Sequence, residues 1–469
     1  MKKLVLKALM VSMFGALTTG HAMTVLSDQE LSDVDGQALL NLQNTYDGTQ
    51  GLNFHKMSIQ ALMELNANIK TLQLGCGGSK GAGCDIDISN IALSGLTTSL
   101  DSLGNPVFDA SGRAATSASI TNPFLEFAIK GDSAATREVV GFRVGAEQIV
   151  GLLTLGTDNV QNPTDGIKSF SGYMKMAQTQ GEAQTEAAKF GLTNDQKISG
   201  NLRALLQTRR FTSKPGEEGH TGITVPSMRV NFTMPETMVS GSRMTSANVT
   251  GIRSSIARIP LAAGSADKPL PTTVVDVPNW SNDQLYVEFP ALIDLGLAQL
   301  GTHAFFKMLP GSSLDNLNLD ITFNQALNMI HNIPLNGTGG YLSLQSQNVK
   351  WQGADAADIA QAGWWMSFKD PIQLGYLRTQ DKVDISYVLP QVATAITDFL
   401  VQPGNLIDVN VVEALASTLV KEPVQRELNI NVGGFTSYNG GRPATLTLQN
   451  QLLQNQKVTT NCFGSHKFC

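Results

Sequence analysis

Gly77-Gly78-Ser79-Lys80-Gly81 matches the G-x-S-x-G pattern of a hydrolase nucleophile. That chemistry needs the serine on a strained strand-to-helix turn, with a histidine to take its proton. Here Ser79 stands in a glycine-rich run between Cys76 and Cys84, with no helix pattern behind it. The stretch therefore reads as a loop. Asp85 and Asp87 put two carboxylates on one side of an extended chain, the arrangement that serves acid–base work on sugars. They alternate with Ile86 and Ile88, which is the pattern of a strand with one wet face. Beyond residue 22 the histidines are His55, His220, His303, His331 and His466, and no two share a ligand spacing or a His-Glu-x-x-His motif. The expectation is a protein without enzymatic activity, catalytic residues, metal or cofactor.

Two other residue types carry sharper expectations. Cys76 and Cys84 are eight positions apart, and Cys462 and Cys469 are seven apart. Neither gap suits zinc, and in an oxidising compartment close pairs read as disulfides. The two local rings, Cys76–Cys84 and Cys462–Cys469, are favoured because short loops close at lower entropic cost. Gly363-Trp364-Trp365-Met366-Ser367-Phe368 holds two of the four tryptophans. On a strand these two rings point to opposite faces. An exposed one, together with Trp351, would make a contact platform for carbohydrate or protein.

The disulfide reading depends on export, which the first 22 residues supply. Lys2, Lys3 and Lys7 precede an apolar run from Ala8 to Leu17, and Gly20-His21-Ala22 offers small residues for cleavage before Met23. This is the three-part pattern of a secretory signal, too short to cross a bilayer. Losing those three lysines takes the net charge from −6 to −9. An acidic chain without a basic stripe is a poor nucleic-acid binder. No later apolar run reaches the length of a spanning helix, and aromatics at 6% are sparse for the girdles of a membrane barrel.

The elements that must position these residues are mostly strands. Ile59, Ala61, Met63, Leu65, Ala67 and Ile69 alternate along what reads as one long half-buried strand. Met228 to Met234 and Leu317 to Phe323 alternate in the same way. Shorter strands are expected at 86–88, 124–129, 139–144, 342–344, 383–387, 428–432 and 445–448. Helices are expected from Val392 to Leu400 behind Pro390, from Asn410 to Val420, and from Ala291 to Leu300. Gln178 to Lys189 reads as helix or connector. Ser27 and Glu30 form a capping box for a short N-terminal helix. The chain thus divides into a signal (1–22), a helix and lead-in (23–52), a β-rich region (53–265) and a second β-rich region (272–469) with helices near 391–421. The fold class is mainly β: long amphipathic strands in a large sheet, sandwich or solenoid-like array, with few short helices. The phrases from Asp85 and from Leu317 are loosely alike, but no fixed period supports a repeat.

Leu26 to Gln37, "LSDQELSDVDGQ", directly behind the signal, resembles the mature N-terminus of a group of exported gammaproteobacterial β-rich surface proteins. That group includes proteins of Fil-type pilus or filament assembly. "GWWMSF" from Gly363 and "NCFGSHKFC" from Asn461 are similar to phrases in its longer members. The resemblance implies a structural or adhesive protein whose partners are other surface or filament proteins, in the periplasm, outer membrane or cell surface. It carries over no catalytic residue. The rival from another class is a periplasmic carrier whose amphipathic strands curve around a hydrophobic ligand such as lipid. An exported hydrolase is the least supported of the three.

Overall fold

Strands from three separate parts of the chain, 40–176, 237–244 and 332–368, build the principal sheet, and β-branched and aromatic residues with few prolines favour them. The computed structural model describes residues 40–96, 117–204, 207–217, 219–433, 443–459 and 461. The export signal, the Ser27 helix start and the Cys462–Cys469 ring lie outside the described residues. Within them the protein is mainly β with two α-helices, as the alternation predicts.

The sheet has eleven strands. We label them β1 (Leu40–Asp47), β2 (Leu52–Ile59), β3 (Leu62–Leu65), β4 (Ala67–Leu74), β5 (Ile86–Ser94), β6 (Ala118–Lys130), β7 (Glu138–Leu155), β8 (Ile167–Met176), β9 (Thr237–Met244), β10 (Asn332–Gln345) and β11 (Gly363–Phe368). Strands β5 and β6 lie end to end along β7, with Ser94 opposite Leu152 and Ser119 opposite Val150. Strands β3 and β4 flank them on the other side, paired to β6 and β5 respectively. The single long strand expected over 59–69 is therefore broken, at Gln60–Ala61 and again at Asn66. Asn122 takes a left-handed backbone angle opposite Ala61, and Asn90 takes one opposite Lys70 within the β4–β5 ladder; such kinks bend a sheet.

The bending closes the sheet on itself. Strand β7 pairs with β10, β10 with β11, β11 with β8, β8 with β5, and β5 again with β7. Gly172 permits the β8–β11 contact, since a Cβ there would collide with the Met366 carbonyl and the Phe170 ring. Beside the principal sheet are a six-stranded sheet, a four-stranded sheet centred on Ser246–Pro260 and Ser313–Ala326, and a three-stranded sheet. Helix α1 (Leu389–Leu400) buries Leu389, Val392, Ala393, Ile396 and Leu400 in the main hydrophobic core. Helix α2 (Val411–Val420) starts at Asn410, whose side chain and Glu413 cap each other reciprocally.

Several expectations need correction. The boundary near 265–272 does not separate two sheets, because β10 and β11 sit between β7 and β8 and Ser313–Ala326 pairs with Ser246–Pro260. Ala291–Leu300 is a small hairpin, Ile293–Asp294 against Gln299–Leu300, turned by Gly296 at positive φ. Gln178–Lys189 holds strand Thr179–Gln184, because Arg229–Met234 supplies its ladder. Residues 383–387 turn instead of extending: the Asp384 carboxylate accepts from the Ser386 N–H and hydroxyl and leads the chain into α1.

Candidate functional site

The register of the principal sheet sorts side chains into rows that cross five strands. Lys56, Glu126, Arg143, Ser343 and Trp365 are directly opposite one another in sequence across β2, β6, β7, β10 and β11. Neighbouring positions point to the other face. There Met57, Leu125, Val144, Leu342 and Met366 form one row, and His55, Phe127, Phe142, Leu344 and Trp364 the next.

The polar row is the covered one. Residues 346–362 fold over it, and Glu126, Arg143, Ser343 and Trp365 are all buried. Arg143 donates to Glu126 and to the Gln352 carbonyl, and its guanidinium lies about 5 Å from the ring centres of Phe124, Tyr341 and Trp351. Beside it, buried Asp358 accepts from the Tyr341 hydroxyl (2.6 Å), the Trp365 indole N–H (3.0 Å) and the Ser367 hydroxyl (2.5 Å). Burial and the adjacent Asp358 carboxylate push the Tyr341 hydroxyl far above its ordinary pKa, so it stays a donor. The contact platform proposed for Trp351, Trp364 and Trp365 is thereby corrected. Trp351 and Trp365 are each 1% exposed, and only Trp364 takes the opposite face, edge-on to Phe142. The rule of opposite faces holds, but packing under 346–362 consumes the two buried rings.

The apolar rows are open at Met57, Phe127 and Val144 and half-buried where they reach β10 and β11. Met57 is 42% exposed, Phe127 38% and Val144 43%. At the far end these rows run into the curl of the sheet, where a cavity of about 230 Å³ opens. Its walls are Leu65, Ala67, Ile69 and Leu72 on the β3–β4 side and Phe170, Met366 and Phe368 opposite, with β5, β7 and β10 between. Every lining side chain is apolar, so nothing there can hydrogen-bond a ligand, and an apolar cavity of this kind stays dry or takes an apolar guest. The volume is below the ~300–1,000 Å³ usual for drug-sized ligands, which favours a narrow aliphatic chain over a ring system.

The other chemistry-bearing residues find partners within the fold. Cys76 and Cys84 form a disulfide. Arg243 on β9 fills the ring: its guanidinium donates to the carbonyls of Gly75, Gly77, Lys80, Gly81 and Ala82 and to Asp85. The G-x-S-x-G stretch thus supplies carbonyls to an arginine. Asp85 precedes β5 and is buried away from Asp87, which accepts from Gln73. Burial alone would raise the Asp85 carboxyl, but bonds from Lys80, the Trp364 N–H and Arg243 outweigh it and hold the pKa below the usual range. His55 meets Asn44, His220 the Gly191 carbonyl, and His303 the Tyr286 ring. His466 lies outside the described residues. Among the described residues no group of carboxylates, histidines and cysteines has the makings of a metal site.

His331 gives a pH prediction. It is fully buried, with Nδ1 bonded to the Leu155 carbonyl at 2.8 Å. Burial lowers its pKa, against the opposing pull of that carbonyl and of Asp165 and Asp158. A lowered folded pKa means the unfolded chain binds more protons, so this contribution is complete above about pH 6.5 and is lost as pH falls toward the folded value. Urea midpoints should fall between about pH 7 and pH 5, by no more than about 1.4 kcal/mol per pH unit from this group. His331→Gln should flatten that slope; an unchanged slope refutes the assignment.

The sequence signal for the open face was present but ambiguous. Residues 57–69 alternate apolar with polar side chains, save Leu62 beside Met63, and alternation does not say which face is covered. Compared with protein-family models, with curated proteins and with solved structures, the chain matches none.

Proposed function

We propose that this is an exported protein that holds the hydrophobic chain of a lipid or similar amphiphile against the apolar face of its principal sheet, with the chain's end in the cavity between β4 and β11. The carrying observation is an apolar sheet face that stays open at Met57, Phe127 and Val144 and continues past half-buried Leu342 and Met366 into an apolar cavity. A sheet stabilised only for folding buries the apolar face, and an open patch of this kind marks a binding surface. Export is supported by the N-terminal pattern and by the Cys76–Cys84 bond, which persists in oxidising compartments. N-terminal sequencing of protein from its native host should begin at Met23.

The test is binding of cis-parinaric acid, a fluorescent long-chain fatty acid. Saturable binding is expected. Leu72→Trp, which fills the cavity from β4, should weaken it at least ~10-fold, equivalent to displacing about two methylenes at ~0.8 kcal/mol each. Equal binding by wild type and Leu72→Trp would place the probe elsewhere and overturn the site.

The structural or adhesive reading has its own support in the exposed edge of β3, where Leu62, Met63 and Leu65 are all exposed. Fractionation separates the two. Stoichiometric lipid on soluble native protein supports the carrier. Lipid-free protein in sheared surface material supports a filament or surface role, with other surface proteins as partners.

A further inference from the structure

We propose that the free edge of β3 and β4 pairs, antiparallel, with the same edge of a second copy of this chain, in a two-fold register centred on Ala67. Among the described residues β3 is bonded only to β6 and β4 only to β5, so the outer backbone groups of both strands face no ladder. Proteins ordinarily blunt such edges with lysines, prolines or inward charges. From Leu62 to Lys70 the only charges are Glu64 and Lys70, and neither is ion-paired among the described residues. Leu62 is 66% exposed and Ile69 43%.

The edge is self-complementary. In an isologous pairing each residue meets the one equally far beyond the axis. About Ala67, Glu64 of each copy meets Lys70 of the other and Leu65 meets Ile69, while Asn66, whose side chain accepts from Asn461 of its own chain, lies across from Asn68. Two opposite-charge pairs and two apolar pairs form at once, the cross-strand combinations that stabilise antiparallel ladders. Moving the axis to Asn66 sets Lys70 against Leu62, and moving it to Asn68 sets Glu64 against Leu72. Centring on Glu64 or on Lys70 brings like charges together. Charge therefore selects one register. The pairing also covers Leu65 and Ile69, the exposed residues at the cavity's β3–β4 wall. It stands whether or not the cavity holds a lipid.

The experiment is light scattering on the full mature chain over a concentration series. Wild type should be a dimer. Glu64→Lys and Lys70→Glu should each weaken dimerisation at least ~10-fold, because each turns both attractive pairs repulsive. The double exchange Glu64→Lys/Lys70→Glu should restore it. A second measurement survives any misfolding of these variants: Ala67→Cys should form a covalent dimer on mild oxidation, since residues directly opposite sit within disulfide reach, whereas Gln73→Cys should not. A monomeric wild type, no restoration by the double exchange, or equal cross-linking at positions 67 and 73 would each overturn the proposal.

Discussion

Arg143→Ala should destabilise the protein by about 3–5 kcal/mol, read as a shift in the urea midpoint. The magnitude follows from what is left behind. Glu126 is 2% exposed and faces Arg143 across the strand pair, so truncation strands a carboxylate under residues 346–362. The same change empties the space among Phe124, Tyr341 and Trp351 and frees the Gln352 carbonyl. Removing both charges, as Arg143→Met/Glu126→Leu, should cost much less than Arg143→Ala, because no buried charge remains unpaired. If the double variant is as unstable as the single one, the aromatic packing rather than the ion pair holds this covering segment.

Asp358→Leu should have an effect of the same order, about 3 kcal/mol or more. Three buried donors converge on that carboxylate, from Tyr341, Trp365 and Ser367, and each orphaned donor costs about 1–3 kcal/mol. Asp358→Asn should be milder. Its carbonyl can still accept the Trp365 N–H, and the two hydroxyls can rotate to accept from the new amide. The order Leu worse than Asn, measured by urea unfolding, is the check; the reverse order would mean that shape rather than hydrogen bonding dominates. Loss of the segment 346–362 from the sheet should also show as increased Trp351 fluorescence quenching by iodide. Both variants alter the covered face and leave the cavity wall untouched, so binding of a hydrophobic probe at concentrations of folded protein should change little.

The G-x-S-x-G stretch illustrates how a local motif can be read apart from its surroundings. Ser79 sits in a motif that names a nucleophile, but nearby carbonyls are spent on Arg243, a residue more than 160 positions away whose arrival nothing near Ser79 announces. Asp85 and Asp87 are adjacent in the pattern and separate in function for the same reason. Lys80, Arg243 and Trp364 converge on Asp85 only when β9 and β11 are in place.

Local rules were enough for much of the fold. Alternation identified the strands at 229–234 and 313–326, and Pro390 and Asn410 marked the starts of α1 and α2 because helix caps act within one turn. Spacing identified the Cys76–Cys84 ring, since a short loop closes without help from the rest of the chain. What only the tertiary structure decided is which face of each strand is covered. Alternation says that Trp364 and Trp365 point apart, or that Arg143 and Val144 do, and is silent on which meets solvent. That choice is made by residues 346–362 and by the closure of β5 onto both β7 and β8, contacts between segments up to hundreds of residues apart. They covered the face that carries Glu126, Arg143 and Trp365 together with Leu52 and Phe54, and left Met57, Phe127 and Val144 on the other face exposed; the ion pair and the Asp358 cluster are tolerated under cover because their charged and polar groups pair with one another.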